Sequence, residues 1–201
     1  MALSLSAPKC CSATINSPDD GYFAARDSNV GFGPIGGVSA AYAQNAVEQL
    51  QPLVETTARR LMIGQQVALA KWDSGKVVED TPREAQVILG ATKDGVAKGL
   101  DEASVSNFFK AQIEANKFVQ YALLADWYRA GKAPEHAPVD LLNVVRPQLD
   151  EVQKLLVAEL VATAAVRTNK TCHADVANAV GKYVPPPYRR NRLCACLQGT
   201  S

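Results

Sequence analysis

The sequence predicts an all-α protein, and three observations carry that expectation. Apolar residues recur at three- and four-residue spacing through several long stretches, no strand-like alternation persists anywhere, and Pro and Asp stand where helices would begin. The architecture expected is a helical bundle with a long first helix and additional helices toward the C-terminus.

Residues 1–43 are rich in Gly, Ser, Ala, Asp and Pro without a sustained period, and read as a mobile N-terminal segment. From Asn45 to Trp72 the residues Val47, Leu50, Val54, Leu61, Val67 and Ala68 follow helical spacing, giving a long first helix that Asp73-Ser74-Gly75 ends. Thr81-Pro82-Arg83-Glu84 reads as an N-cap, a proline at the first helical position and a capping-box glutamate, opening a second helix to about Gly99. Asp101 caps a third helix through Trp127 and Tyr128. Its stripe of Val105, Phe109, Ile113, Leu123 and Trp127 is interrupted by Asn116 and Gln120 on the same face.

Gly131 to Pro138 is a connection, and Arg146-Pro147 starts a further helix, because proline suits a first turn and disfavours helical geometry in the residue before it. Leu149, Val152, Leu156, Leu160 and Val161 carry that helix to about Val166. A last short helix covers His173 to Tyr183. Residues 184–201, rich in Pro, Arg and Cys, have no core stripe, so the expected division is a helical domain at 44–183 between two irregular segments.

With 201 residues and 47% hydrophobic content, the chain can bury one ordinary core. Its 21 basic and 20 acidic side chains nearly cancel, so no overall field draws it to nucleic acid or to an anionic membrane. No run of about 18 apolar residues exists, which excludes a membrane-spanning helix. Cysteines occur only near the ends, at Cys10, Cys11, Cys172, Cys194 and Cys196. Cys172-His173 with Cys194-Ala195-Cys196 makes a poor metal site, since zinc ligands usually come at wider spacings. A disulfide from Cys172 to Cys194 or Cys196 is the better reading if the protein is exported.

Any affinity for anions must therefore be local. Arg60 and Lys71 lie eleven residues apart, about three turns or 16 Å along one helix face, with Gly64 and Val67 as a small-residue floor between them. Arg83 opens the next helix. Singly, each of these has a bland explanation: a solvated cation, a capping glutamate at Glu84, or an Arg146 that caps a helix end or pairs with Asp150 four residues on. Asn116 and Gln120 are less easily dismissed, because a buried amide left unsatisfied costs roughly 1–3 kcal/mol. They either tie helices together or meet a ligand. His136 and His173 have no triad-like neighbours, and nucleophilic catalysis has no visible apparatus.

Taken in order, Arg60, Lys71-Trp72, Glu79-Asp80, Arg83-Glu84, Gln112, Asn116, Gln120, Asp126-Trp127 and Arg146 resemble the all-helical AroQ chorismate mutases, specifically the exported gamma subclass. The resemblance covers about residues 45 to 175 and implies the type II helical bundle, no cofactor and no metal. It also implies the Claisen rearrangement of chorismate to prephenate, a unimolecular step that needs no nucleophile. By this resemblance Arg60, Arg83 and Arg146 would engage the two carboxylates of chorismate, for which guanidinium is suited, or polarise the site around them. Lys71 and Gln120 would donate to the ether oxygen as the carbon–oxygen bond breaks. Glu84, with the backbone near Asp80, would accept from the ring hydroxyl. Asn116 stands where the family places a small hydroxylated residue near a carboxylate, and Arg146 would complete the site within one chain.

The family also suggests a homodimer and a periplasmic or secreted location. Val38-Ser39-Ala40-Ala41-Tyr42-Ala43 has the small-x-small form of a signal-peptidase site, but Asp19, Asp20, Arg26 and Asp27 interrupt the apolar stretch that an intact signal needs. Gamma-subclass proteins close with more amphipathic helix and a cysteine partner for the position of Cys172. Here Val184-Pro185-Pro186-Pro187 cannot continue a helix, so both terminal segments are expected to be altered around an intact catalytic body. Two other readings remain open at this point: an isochorismate pyruvate lyase using a related pocket, and a non-catalytic helical binder of a small dicarboxylate or a partner protein.

Overall fold

The computed structural model describes residues 37–184, with side chains from residue 45 onward. Six α-helices follow in order: α1 (Gly37–Ser74), α2 (Thr81–Ala97), α3 (Glu102–Ala130), α4 (Arg146–Ala162), α5 (Ala164–Arg167) and α6 (Cys172–Tyr183). A π-helical turn, Leu141–Val145, leads directly into α4. No strand occurs among the described residues. Of the expected irregular segments at 1–43 and 184–201, residues 1–36 and 185–201, and with them any partner for Cys172 in the tail, lie outside the described residues, whereas residues 37–43 belong to α1 and are not irregular.

At 38 residues, or about 57 Å, α1 is the spine of the molecule, and α3, α4 and α6 pack against it. Helix α2 packs against α3 and α4. Leu50, Leu53, Val54 and Leu61 of α1 meet Val105, Phe108 and Phe109 of α3 and Val152, Leu156 and Leu160 of α4 in one continuous core. Each of these side chains is buried, at about 25 cal/mol per Å² of apolar surface removed from water. A smaller cluster closes the far end, where Trp72 packs edge-on against Trp127 at 6.0 Å and Tyr128 tilts over Trp72 at 4.8 Å.

The expected elements are present, and their ends differ. Helix α1 begins at Gly37, ahead of Asn45 where the stripe becomes readable, because small residues show no apolar period. It also carries Pro52 in its interior, tolerated at an exposed position. The N-cap of α2 is Asp80, one residue before the expected Thr81. Asp80 Oδ1 accepts from the Arg83 amide at 3.3 Å, while Glu84 Oε1 reaches back to the Asp80 amide at 3.2 Å. Helix α4 stops at Ala162 and not near Val166. The Thr163 hydroxyl donates to the Glu159 carbonyl there, and the chain resumes as the short α5.

Helix α3 follows its expected course. Asp101 Oδ2 accepts from the Ser104 amide at 2.8 Å, and Gly131 ends the helix at φ +71°, a conformation that costs glycine nothing. Two such well-formed ends hold its 29 residues in register, which places Asn116 and Gln120 against α1.

Candidate active site

One cavity between α1, α2, α3 and the start of α4 is lined by Arg60, Lys71, Asp80, Arg83, Glu84, Asn116, Gln120 and Arg146 together. All eight residues singled out in the sequence therefore meet, although they span four elements. Apolar Val67, Val78, Val87, Ile113, Leu141 and Leu149 fill the wall between the charges. Among the described residues, no serine, cysteine, threonine or histidine lines it.

The lining is rich in charge. Arg60, Lys71, Arg83, Lys117 and Arg146 line the cavity with Asp80, Glu84 and Asp150, while Glu79 and Glu114, outside the lining, also contact the Lys117 ammonium. Arg60 and Lys71 are both buried, at 5% and 8% exposure, so the bland reading of two solvated cations fails. Within the protein their charge is weakly screened, which strengthens their attraction for an anionic group that reaches them. Lys71 donates from Nζ to the Val78 carbonyl in the α1–α2 connection, which aims its ammonium across the cavity. Burial pushes the Lys71 pKa below that of an ordinary lysine, against the opposing pull of Asp80, Glu84 and Glu79, while Arg146 pushes it further down.

Two expected contacts are different. Arg146 does not pair with Asp150 on its own helix. It donates to Asp80 Oδ2 at 3.3 Å across to α2, and Asp150 is taken by Arg83 at 2.7 Å. Gly64 is not open floor either. Asn116 covers it, and a Cβ at residue 64 would stand 2.8 Å from Asn116 Nδ2. Asn116 and Gln120 are buried as expected, at 7% and 4% exposure. Asn116 Nδ2 donates to the Arg60 carbonyl at 2.9 Å, and Gln120 Nε2 donates to Asn116 Oδ1 at 2.8 Å.

Lys117 is the site residue that sequence reasoning missed. Its ammonium contacts Glu79 at 2.9 Å, Glu84 at 3.3 Å and Glu114 at 2.7 Å, and Tyr121 adds a hydroxyl to Glu79 at 2.7 Å. Burial would lower the Lys117 pKa, but its hydrogen bonds to Glu114, Glu79 and Glu84 outweigh that and hold it well above the ordinary value. The available signal was its place beside Asn116, one turn before Tyr121. Gln153, seven residues past Arg146, also lines the cavity and was not foreseen.

The chain matches the family model for chorismate mutase type II over residues 51–121. It is 30% identical to the secreted chorismate mutase of Mycolicibacterium smegmatis over 155 residues, 76% of this chain and 84% of that protein. The secreted chorismate mutase of Mycobacterium tuberculosis is 24% identical over 135 residues, 67% of each chain. Among solved structures, the chorismate mutase of Burkholderia phymatum superposes with a TM-score of 0.72 at 39% identity, covering 77% of this chain and 96% of that one. The secreted chorismate mutase of Yersinia pestis gives 0.57 at 26% identity over 76% and 92% of the two chains. Helical bundle and relatives agree, and the chain belongs to the type II chorismate mutase family. Within it, the likeness to secreted mycobacterial and Yersinia proteins puts the chain in the exported AroQ subclass, and it is an isomerase of that kind.

Proposed function

We propose that this cavity converts chorismate to prephenate, with Lys71 and Gln120 as the two donors to the ether oxygen and Arg60, Arg83 and Arg146 as the carboxylate anchors. The step is concerted: the ether carbon–oxygen bond breaks as the new carbon–carbon bond forms, and no proton or group leaves the substrate. The protein's work is then to hold a compact conformer and to stabilise charge as it grows on the ether oxygen. The observation that carries this reading is the convergence of a buried ammonium, Lys71, and a buried amide, Gln120, on one cavity that three arginines also line.

Glu84 is the acceptor for the ring hydroxyl in this reading. Its Oε1 is held by the Asp80 amide and its Oε2 by Lys117, so the carboxylate is fixed before substrate arrives. Chorismate loss and prephenate formation, followed with the purified protein and with Lys71→Met, test the reading. Turnover that survives loss of the Lys71 ammonium would overturn the donor assignment. The secreted relatives also support a periplasmic or extracellular place of work, and the family supports a homodimer, which sedimentation of the purified chain would decide.

A further inference from the structure

Gly64, Asn116 and Gln120 form a line of contacts that begins on the backbone of α1 and ends in the cavity. The Arg60 carbonyl can only accept, so the Asn116 nitrogen that lies 2.9 Å from it must be the donor end of that amide. Asn116 Oδ1 is then committed to face Gln120, where it accepts from Nε2 at 2.8 Å. Turning the Gln120 amide over would set two acceptor oxygens against each other at that distance. The amide keeps its orientation even though Gln120 Oε1 is left buried without a hydrogen-bond partner. An amide nitrogen carries two hydrogens, so one Nε2 hydrogen serves Asn116 and the second remains for a ligand.

We propose that Asn116 is a positioning residue that acts through Gln120 and not on a substrate carboxylate, and that Gly64 is its necessary counterpart. Asn116 fixes Gln120 donor-first toward the reacting oxygen. Gly64 makes this possible because a Cβ there would lie 2.8 Å from Asn116 Nδ2 and 3.2 Å from its Cγ, which would push the amide off the Arg60 carbonyl. The polarity of a donor in the cavity is thus set by a missing methyl group on the opposite helix. This inference rests on the reading of Gln120 as a donor to the ether oxygen.

The test is the steady-state kinetics of Gly64→Ala, Asn116→Ser and the pair. Gly64→Ala is expected to lower kcat roughly tenfold or more with KM within about twofold, since the anchoring cations are untouched and a small misplacement of a catalytic group is costly. Serine is short enough to coexist with a Cβ at residue 64, so the double variant is expected to be no slower than Asn116→Ser alone. In a Gln120→Leu background, Gly64→Ala should change kcat by less than about twofold, because nothing is left to misplace. Effects that multiply, or a Gly64→Ala loss that appears in KM or persists without Gln120, would overturn the proposal. Alanine is the better helix former, so a folded Gly64→Ala is expected. A separate readout needs no substrate: in nitrogen-15 spectra the side-chain amide signals of Gln120 should move in Gly64→Ala, and unmoved signals would refute the positioning role. An unaltered chain that fails to turn over chorismate would instead sink the functional reading, leaving the spectra to decide the contact line.

Discussion

Arg146 and Asp80, 66 residues apart in the chain, meet across 3.3 Å at the rim of the cavity and join the first turn of α4 to the cap of α2. Asp80 divides its two oxygens between this contact and the Arg83 amide, so the same carboxylate starts a helix and holds Arg146, the proposed carboxylate anchor, in place. Both side chains are partly open to water, at 33% and 44%, and such pairs contribute about 0–1 kcal/mol to stability. Arg146→Lys is therefore expected to leave the thermal midpoint nearly unchanged. Lysine loses the paired donors that suit a carboxylate, and kcat/KM should fall roughly 10²-fold. A loss of stability in proportion to the loss of activity would show that Arg146 serves the fold instead.

Lys71 gives the alkaline side of the pH profile. Its pKa is lowered, chiefly by burial, so the ammonium is lost at a lower pH than in an ordinary lysine, and kcat should decline as pH rises through that value. Stability moves the other way. Between the folded pKa and the ordinary value near 10.5 the unfolded chain binds the extra proton, and there the contribution of Lys71 to stability rises with pH. Lys71→Met should be slow at every pH and lack this alkaline limb. An alkaline limb that survives in Lys71→Met would assign it to another group.

Lys117 offers a third check. Three carboxylates surround its ammonium, and two of them, Glu79 and Glu84, belong to the α1–α2 connection and the first turn of α2. Its raised pKa keeps it charged through the working range, so its contribution to the fold is present below the ordinary lysine value and is lost only at more alkaline pH. Lys117→Met should free Glu84 to turn away from the cavity and lower kcat/KM about tenfold, whereas Lys117→Arg should recover most of the loss. Equal losses in both variants would argue against a charge-mediated hold on Glu84.

The parts of this site that could be read in the sequence are those set by one helix at a time. Asp101 as a cap, Val105, Phe109, Ile113 and Trp127 of the α3 stripe and the two amides within it depend on local period and are where that period puts them, whereas Leu124 and not the expected Leu123 is buried in the same stretch. Pairings between helices were not legible. Arg146 and Asp150 satisfy the rule for neighbours four residues apart on a helix, yet Arg83 lies within reach of Asp150 and Asp80 within reach of Arg146, and a tertiary contact has no period. The cap of α2 moved from Thr81 to Asp80 because either side chain can cap, and a carboxylate has a second oxygen for Arg146. Gly64 looked like floor because its emptiness is visible in sequence and the Asn116 amide that fills it is not.

Gln120→Glu should move the pH optimum to acid. The neutral amide donates at any working pH, whereas a glutamate must be protonated to donate, and at a position only 4% exposed burial favours the neutral acid. Activity of the variant should therefore be largest at low pH and decline as pH rises through the glutamate's titration, while the unaltered protein stays level there. Parallel profiles for the two proteins would remove Gln120 from the role of donor.

Two glycines on α2 should respond to the same substitution with opposite sign. A Cβ at Gly95 would stand 2.8 Å from Val105 Cγ2 and 3.2 Å from its Cγ1, and Val105 is a fully buried, β-branched side chain that cannot swing aside. Gly95→Ala must push α2 off α3, and overpacking of this kind typically costs about 1–3 kcal/mol, enough to outweigh the roughly 1 kcal/mol that alanine adds to a helix. At Gly90 the nearest atom is Gln153 Nε2 at 3.5 Å, the far end of a flexible side chain at ordinary contact distance. Gly90→Ala should gain the helix term alone and raise the thermal midpoint by about 2–4 °C, while Gly95→Ala lowers it. Midpoints that shift in the same direction would mean that helix preference, and not the fit of α2 against Val105, decides stability along this contact.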